Sequence, residues 1–407
     1  MNERTRSILA FLVILLAVCS ISWGLWNAST SRADETVYIE TTQSLVAHGQ
    51  IALNPFFDFY AMVFRVLTKD PISAHLIVRF VNTLLSSLAL YYLLTGFKTW
   101  LKQAALLAST LVWISSYLCS PLTQMGNVSL FAATLSMFGF GIALRNPGIA
   151  RGLLALFVVA LGASVRKELW LGWMLLAGLL LLRNCMDLRS GKIAGRHLLV
   201  FIISVAVLLG VATVARHHSE KTLQLSDPNQ HAMLAFRQSY GAYAKRANVE
   251  TSFDAMTEFG PVYERAFGKA NTLIEVLKAN PREALTYFLH NSLNNLRNLP
   301  GCFLSTRESG RSESLLNRPQ TILLGLYLFA GGLLVVLTLL QNLKAHHWKI
   351  AQSVQSIPDS CDLLWRVLLL IALACSSTVA FIMVVFVSRH YLPVAPLVFL
   401  LVALCID

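Results

Sequence analysis

The chain has 407 residues, of which 56% are hydrophobic and only 13% are charged, roughly half the charged fraction of a soluble domain. Its net charge of +12 is spread over loops beside apolar runs and forms no single basic patch, which excludes a nucleic-acid-binding protein. The composition predicts an all-α, polytopic membrane protein that has the lipid bilayer as its partner.

Apolar runs recur along the whole chain and set the expected topology. The first, 8–26, follows Arg4 and Arg6 and is longer than the apolar core of a cleaved signal peptide, so we predict a signal anchor. Together with the later runs it predicts a transmembrane helical bundle of about ten spans. The later runs are 75–97, 103–119, 128–144, 152–165, 169–182, 198–215, 320–340, 367–387 and 391–406.

The first outer loop, 27–74, combines acidic and aromatic residues. Asp34 stands at the start of a helix predicted over 35–48 and ending at Gly49. It is either the N-cap of that helix or a catalytic carboxylate held just above the membrane. The aromatic segment 55–64 is predicted to be a short interfacial helix, which either borders a groove for a lipid chain or serves as an anchor.

The runs 152–165 and 169–182 are short, and Arg166-Lys167-Glu168 separates them. They form either a helical hairpin or one long helix with three charges inside the membrane. With a hairpin and the N-terminus inside, thirteen Lys and Arg residues lie in inner segments, whereas a single helix moves seven of them outside. We therefore predict the hairpin, with both termini inside and Arg166 and Lys167 outside, where they either snorkel to headgroups or bind a lipid phosphate.

A large outer segment, 216–319, contains no apolar run long enough to span the bilayer. Apolar residues at spacings of three and four predict amphipathic helices over 254–268 and 271–299. Pro281 is expected to begin a helix after Asn280, and Pro300-Gly301 to end it. The predicted organisation is therefore an N-terminal membrane module (1–215), a helical outer domain (216–319) and a C-terminal membrane module (320–407).

Short motifs near the outer ends of the predicted spans occur in a recognisable order. They are Asp34-Glu35-x-x-Tyr38, Val78-Arg79-Phe80, Ser164-Val165-Arg166-Lys167-Glu168 and Arg389-His390-Tyr391-Leu392-Pro393. As a set they resemble the GT-C superfamily of membrane glycosyltransferases, nearest to its protein O-mannosyltransferase and aminoarabinose-transferase branch. The resemblance covers about 27–185 and 365–407.

The resemblance implies a GT-C-like bundle that transfers a sugar from a polyprenyl-phosphate donor to a glycan, lipid or protein acceptor. The site would face the periplasm, in a multi-pass protein of the bacterial inner membrane. Asp34, with Glu35 beside it, would act as general base or orient the acceptor. The donor phosphate would be bound by Arg166, Lys167 and Arg389. Supporting roles would fall to Arg79, Tyr38, His390 and Tyr391.

One departure from the family concerns a second acid, which many members carry between the third and fourth spans. Here 120–127 contains amides and no acid, so we expect no obligatory cofactor and disfavour a divalent metal. Two other functions remain open. A secondary transporter is less well supported because the predicted spans carry no charge near their middles and show no repeat. A lipid-linked polymerase or ligase of surface polysaccharide fits the same outer loops.

Overall fold

A computed structural model describes residues 3–22, 33–98, 101–116, 119, 127–145, 148–223, 228–246, 258–304, 358–377 and 392–406. All regular structure in these ranges is helical and none is strand, which confirms the all-α class. Among the described residues, five helices are long and apolar enough to cross a membrane, and four further apolar helices are shorter. The predicted span 320–340 lies outside the described residues.

The helices are numbered here in chain order. The first nine are α1 Glu3–Ser22, α2 Ala33–Ala47, α3 Pro55–Val63, α4 Pro71–Leu94, α5 Gln103–Ser115, α6 Asn127–Arg145, α7 Ile149–Val165, α8 Leu169–Arg189 and α9 Gly195–Thr222. The others are α10 Pro228–Arg246, α11 Phe259–Phe267, α12 Leu273–Ala279, α13 Pro281–Leu304, α14 Pro358–Ala374 and α15 Ala395–Ile406. A π-helical turn, Phe64–Thr68, joins α3 to α4.

Helices α7 and α8 form an antiparallel hairpin. The indole N–H of Trp173 donates to the carbonyl of Leu156 at 2.9 Å, and Gly152 lies against the side chain of Leu180. Both pairs are centred on the break at 166–168, as a hairpin requires. The structure therefore confirms the predicted hairpin and excludes one continuous helix over 152–182.

Helices α6 and α7 pack more closely still, through glycines. A Cβ atom on Gly139 would lie 2.7 Å from the carbonyl oxygen of Ala155, and one on Gly162 would lie 2.7 Å from that of Ala132. Small residues at such crossings let two backbones approach, which is how helices associate tightly in membranes. This seam fixes the second antiparallel pair of the bundle.

The other helices alternate in direction in the same way. Along α4 and α5, Trp113 reaches Ser86 while Gln103 donates to the Tyr91 hydroxyl, so the two run antiparallel. Helix α14 runs antiparallel to α8, because Gly172 lies against Ser376 and Arg183 lies over the ring of Trp365. The bundle consequently has two distinct ends.

We call one of these the site end. It carries α2, α3, the turn at 166–168 and the last two turns of α9, and a shared apolar cluster joins several of these elements. The opposite end carries the exposed connection between α8 and α9, where Gly191 has φ of +73° and Lys192 lies 3.9 Å from Asp187.

Helices α10 to α13 form a unit with an aromatic core. Its buried side chains include Phe236, Tyr240, Tyr263 and Tyr287, and the Tyr240 hydroxyl donates to Glu283 Oε1 at 2.9 Å. Burial raises the pKa of Tyr240, and the hydrogen bond to Glu283 adds to this. Helix α9 continues to Thr222, beyond the predicted boundary at 216, so this unit begins at Pro228.

Helix α13 matches the prediction at its start and differs at its end. Pro281 is its first residue and the Asn280 side chain accepts from the Glu283 amide at 3.2 Å, as expected of a cap. The predicted end at Pro300-Gly301 is wrong, since the helix continues to Leu304. It packs against α5 and α15, and such packing overrides local propensity.

The apolar row of α13 is exposed instead of forming the core. Leu285, Leu289 and Leu293 all point away from the aromatic cluster, whereas Ala284 and Tyr287 are fully buried in it. The spacing of three and four correctly identified a helix but not the face that the unit buries.

Candidate functional site

The acidic pair lies at the start of α2, at the site end. The helix begins at Ala33, so Asp34 and Glu35 lie in its first turn. Tyr38 follows one turn later, with its ring 6.0 Å from that of Phe56. The helix ends at Ala47, close to the predicted end, and Gly49 follows with a φ of +63° that favours glycine.

Helix α3 packs its aromatic residues into the site end. Asn54 caps the helix, its side-chain oxygen accepting from the Phe56 amide at 3.2 Å. Phe56 and Tyr60 are fully buried, and the Phe56 ring contacts that of Phe131 at the start of α6. Most of the predicted interfacial aromatic surface is therefore core, which ties the first loop firmly to the bundle.

Arg79 lies deeper than the sequence suggested. It is 2% exposed and stands about 12 Å along α4 from Pro71. It belongs to a row of polar side chains on the buried face of the helix. We call this row the α4 polar row; its members are His75, Arg79, Asn82, Thr83, Ser86 and Ser87, all 0–2% exposed.

Hydrogen bonds to neighbouring elements hold the inner part of the α4 polar row. The Thr83 hydroxyl donates to the carbonyl of Cys119 at 2.7 Å, and the Trp113 indole N–H donates to the Ser86 hydroxyl at 3.2 Å. At its outer part, the ring of His75 lies 5.7 Å from that of Tyr60. Sequence reasoning missed this row except for Arg79, although its spacing of three and four within an apolar run was the available signal.

The turn at 166–168 carries an internal ion pair. Arg166 Nη2 lies 2.6 Å from Glu168 Oε1, and both side chains are half-buried. Lys167 is exposed between them. Partial desolvation lowers the pKa of Lys167, Arg216 lowers it further, and Glu168 and Glu220 oppose the shift. The predicted phosphate-binding pair therefore sits in a mixed-charge cluster.

The end of α9 supplies charged residues that sequence reasoning did not include. Arg216 Nε lies 2.8 Å from Glu220 Oε1, one helical turn away. Arg216 lowers the pKa of Lys167 and Glu220 raises it. An arginine and a glutamate at this spacing form a common helical pair, which was the only sequence signal.

A small cavity of about 20 Å³, enough for a water molecule, lies beside the Arg166–Glu168 pair. It is lined by both partners, by the start of α6 and by Leu392 and Pro393. The structure thus brings the residues that follow Arg389-His390-Tyr391 against the turn at 166–168. Arg389, His390 and Tyr391 themselves lie outside the described residues.

No cluster of three His, Cys, Asp or Glu side chains suited to a metal ion occurs within the described ranges. Comparison with protein-family models and with curated proteins gives no match to the chain.

Proposed function

We propose that the chain is a membrane glycosyltransferase that moves a sugar from a polyprenyl-phosphate donor to an acceptor on the extracytoplasmic side. One observation carries this proposal: the first-loop helices, the turn at 166–168 and Leu392-Pro393 converge at one end of a helical bundle. These are three of the segments on which the GT-C resemblance rests. Their convergence is what a shared acid and phosphate site would require.

The proposed reaction is a single displacement at the anomeric carbon. The Asp34 carboxylate, with Glu35 beside it, takes the proton of an acceptor hydroxyl as that oxygen bonds to the sugar. The bond between the sugar and the donor phosphate oxygen breaks, and its electron pair leaves with the lipid phosphate. Lys167, Arg166 and Arg389 stabilise that charge. Single displacement inverts the anomeric configuration.

We further propose about ten crossings, with both termini in the cytoplasm and the site facing the periplasm. Helix α9 ends at the site end while α14 begins at the opposite end, so the intervening chain passes between the ends. The apolar run 320–340 is long enough for that passage. The opposite end is rich in Lys and Arg, including Lys98, Arg145 and Arg183, as the cytoplasmic side of a membrane protein is.

The α4 polar row favours a second candidate, a secondary transporter. Buried ionisable residues inside a membrane helix mark substrate or proton pathways by default, and His75 and Arg79 are such residues. A polysaccharide polymerase or ligase would use the same site as the proposed transferase with a different acceptor.

The decisive experiment compares wild type, Asp34→Asn and Glu40→Gln in a host that lacks the gene, with cell-envelope glycans measured by mass spectrometry. Glu40 is an exposed acid on the same helix, so it controls for loss of charge. Asp34→Asn is expected to lower sugar transfer by about 100-fold or more, because general-base catalysis contributes that much. Full transfer by this variant contradicts the assignment.

Orientation and the transporter alternative need separate measurements. We expect residue 260 to lie in the periplasm, so a reporter that works only in the periplasm should be active when fused after it. Activity of a cytoplasmic reporter at this position would contradict the proposed topology. Solute uptake by proteoliposomes without any glycan product would favour the transporter.

A further inference from the structure

The π-helical turn Phe64–Thr68, which joins α3 to α4, exposes apolar side chains at the site end. Val66 is 72% exposed, more than any other large apolar side chain among the described residues, and Leu67 is 64% exposed. Met62, four residues before Val66, and Ile72, in the first turn of α4, are each about half exposed. Exposed apolar side chains concentrated in one short segment indicate an interaction surface.

Hydrogen bonds hold this turn in a defined shape. The Lys69 amide donates to the Phe64 carbonyl at 3.0 Å and closes the π turn. Lys69 then adopts a left-handed backbone with φ of +53°, which directs the chain into α4. The Arg65 side chain donates to the carbonyl of Leu45, near the end of α2, at 3.2 Å. The two apolar side chains between Arg65 and Thr68 are therefore presented by an ordered turn, and π turns occur frequently at functional sites.

The length of the following helical segment sets the level of the turn in a bilayer. Pro71–Phe97 has 27 residues, which is about 40 Å at the rise of an α-helix. The hydrocarbon core of a bilayer is about 30 Å thick, and the bilayer with its headgroups is about 40–45 Å thick. A span of this length begins and ends among the headgroups. The turn that precedes it consequently lies at the level of the headgroups.

Two cations flank the apolar pair of the turn. Arg65 precedes it and Lys69 follows it, and both side chains are exposed. The neighbouring acid, Asp70, caps α4 by accepting from the Ser73 amide at 2.7 Å. Lysine and arginine at the edge of a bilayer extend towards lipid headgroups, while apolar neighbours enter the acyl region. This combination of exposed apolar and basic residues suits the surface of an anionic bilayer.

We propose that residues 64–69 form a lipid-binding element at the site end. The exposed apolar pair enters the bilayer, and Arg65 and Lys69 bind the phosphate groups of anionic phospholipids. The sequence pattern predicted interfacial contact for the aromatic segment 55–64, most of whose aromatic side chains are core. The turn that follows makes this contact instead and anchors the first outer loop to the membrane surface. The inference does not depend on the proposed sugar transfer.

Photo-crosslinking of the full chain tests the contact with lipid. A benzophenone amino acid is placed at the position of Val66, Val214 or Glu264, in nanodiscs that contain phosphatidylglycerol and phosphatidylcholine, and lipid adducts are measured by mass spectrometry. Val214 is an exposed residue of the apolar helix α9 and reports lipid contact, whereas Glu264 is an exposed charged residue of α11 and reports contact with water. We expect adducts at position 66 to be nearly as frequent as at position 214.

Two results of this experiment would overturn the proposal. Lipid adducts at position 66 that are no more frequent than at position 264 would show that the turn lies in water. Crosslinks from position 66 to a second copy of the chain, in place of lipid, would show that the turn is a protein interface.

The role of the cations is tested by Lys69→Gln, since glutamine is no more strained than lysine in the left-handed backbone. The enrichment of phosphatidylglycerol over phosphatidylcholine among adducts at position 66 is expected to fall by about fivefold, the effect of one cation at an anionic surface. Lys269→Gln is the matched control, because it removes an exposed cation from the unit formed by α10 to α13. The proposal fails if Lys69→Gln leaves the enrichment unchanged or if Lys269→Gln lowers it equally.

Discussion

Helices α4 and α9 are almost equal in length and both can cross a membrane, yet they occupy opposite environments. The most apolar 18-residue stretch of Pro71–Phe97, which contains α4, has a mean hydropathy of 1.5 and 56% of its residues buried, whereas that of α9 has a mean hydropathy of 2.9 and 11% buried. The more apolar helix is therefore the peripheral one. Lipid tolerates only apolar side chains, while the bundle interior accepts polar groups that find partners.

The positions of the polar and charged residues follow the same division. Helix α4 carries its polar row within the bundle, while α9 is apolar through its middle and carries charged residues only near its two ends, Arg196 in the first turn and Arg216, Glu220 and Lys221 in the last two turns. Hydropathy alone would rank α9 as the better span, but burial shows that α4 lies inside the bundle and α9 at its periphery. Three substitutions test this contrast, from the largest expected effect to the smallest.

Alanine at Gly139 should destabilise the inner helices. The new Cβ would lie 2.5 Å from Val159 Cγ2 and 2.7 Å from the Ala155 carbonyl, so α6 and α7 must separate. We expect a loss of about 1–3 kcal/mol in the free energy of unfolding, measured in detergent.

The matched change on the peripheral helix is Gly210→Ala, because no atom lies within 4 Å of the Cβ that it adds. There the higher helix propensity of alanine should stabilise the protein by about 0.5–1 kcal/mol. Equal destabilisation by the two variants would show that α9 is packed as tightly as α6.

Thr83→Val should remove one hydrogen bond of the α4 polar row while keeping a side chain of the same shape. It removes the hydrogen bond to the buried carbonyl of Cys119, for an expected cost of about 1 kcal/mol in unfolding free energy. The control is Thr213→Val on α9, whose hydroxyl is exposed and bonds only to its own helix at Leu209. If Thr213→Val lowered the unfolding free energy as much as Thr83→Val does, the contrast between a buried α4 and a peripheral α9 would be contradicted.

The smallest effect concerns how the two helices begin. Asp70 caps α4 by accepting from the Ser73 amide at 2.7 Å, whereas Ala194 before α9 has no side-chain cap. Hydrogen bonds to Ser73 lower the pKa of Asp70. The stabilisation by its charge is therefore present above the unfolded pKa of about 3.9 and is lost as pH falls through the folded value.

Unfolding of wild type and Asp70→Asn between about pH 2 and 6 measures this contribution. Asparagine keeps the cap without the charge, so the variant should lose less stability in acid than wild type does. Glu40→Gln removes an exposed acid that caps no helix, and its acid profile should match that of wild type. If the free energy of unfolding of Asp70→Asn fell with pH as steeply as that of wild type, the charge of the Asp70 cap would not be a source of the pH dependence.

Local signals in the sequence predicted the elements well. Pro281 with Asn280 located the start of α13, Gly49 located the end of α2, and the bias of Lys and Arg gave the hairpin at 166–168. Each of these predictions depends on residues whose backbone conformation or charge determines the structure locally, at or next to their own positions in the chain.

Tertiary burial was harder to predict. An isolated charge such as Arg79 near the start of an apolar run resembles an edge residue, since spacing does not reveal depth within a bundle. For the same reason the spacing of apolar residues predicted an amphipathic helix at α13 but did not show that aromatic residues would form the core of its unit. The Arg216–Glu220 pair was not predicted because its effect falls on the pKa of Lys167, a residue that is distant in sequence.

The connection between α8 and α9 has a practical use. It is exposed, Gly191 has open space around it, and the 21 residues of α8 place it about 30 Å from the turn at 166–168. Exposed tips of this kind accept inserted sequence with little disturbance. An epitope or a fluorescent protein inserted there would give a handle for purification and imaging that leaves the acidic and basic groups at the site end undisturbed.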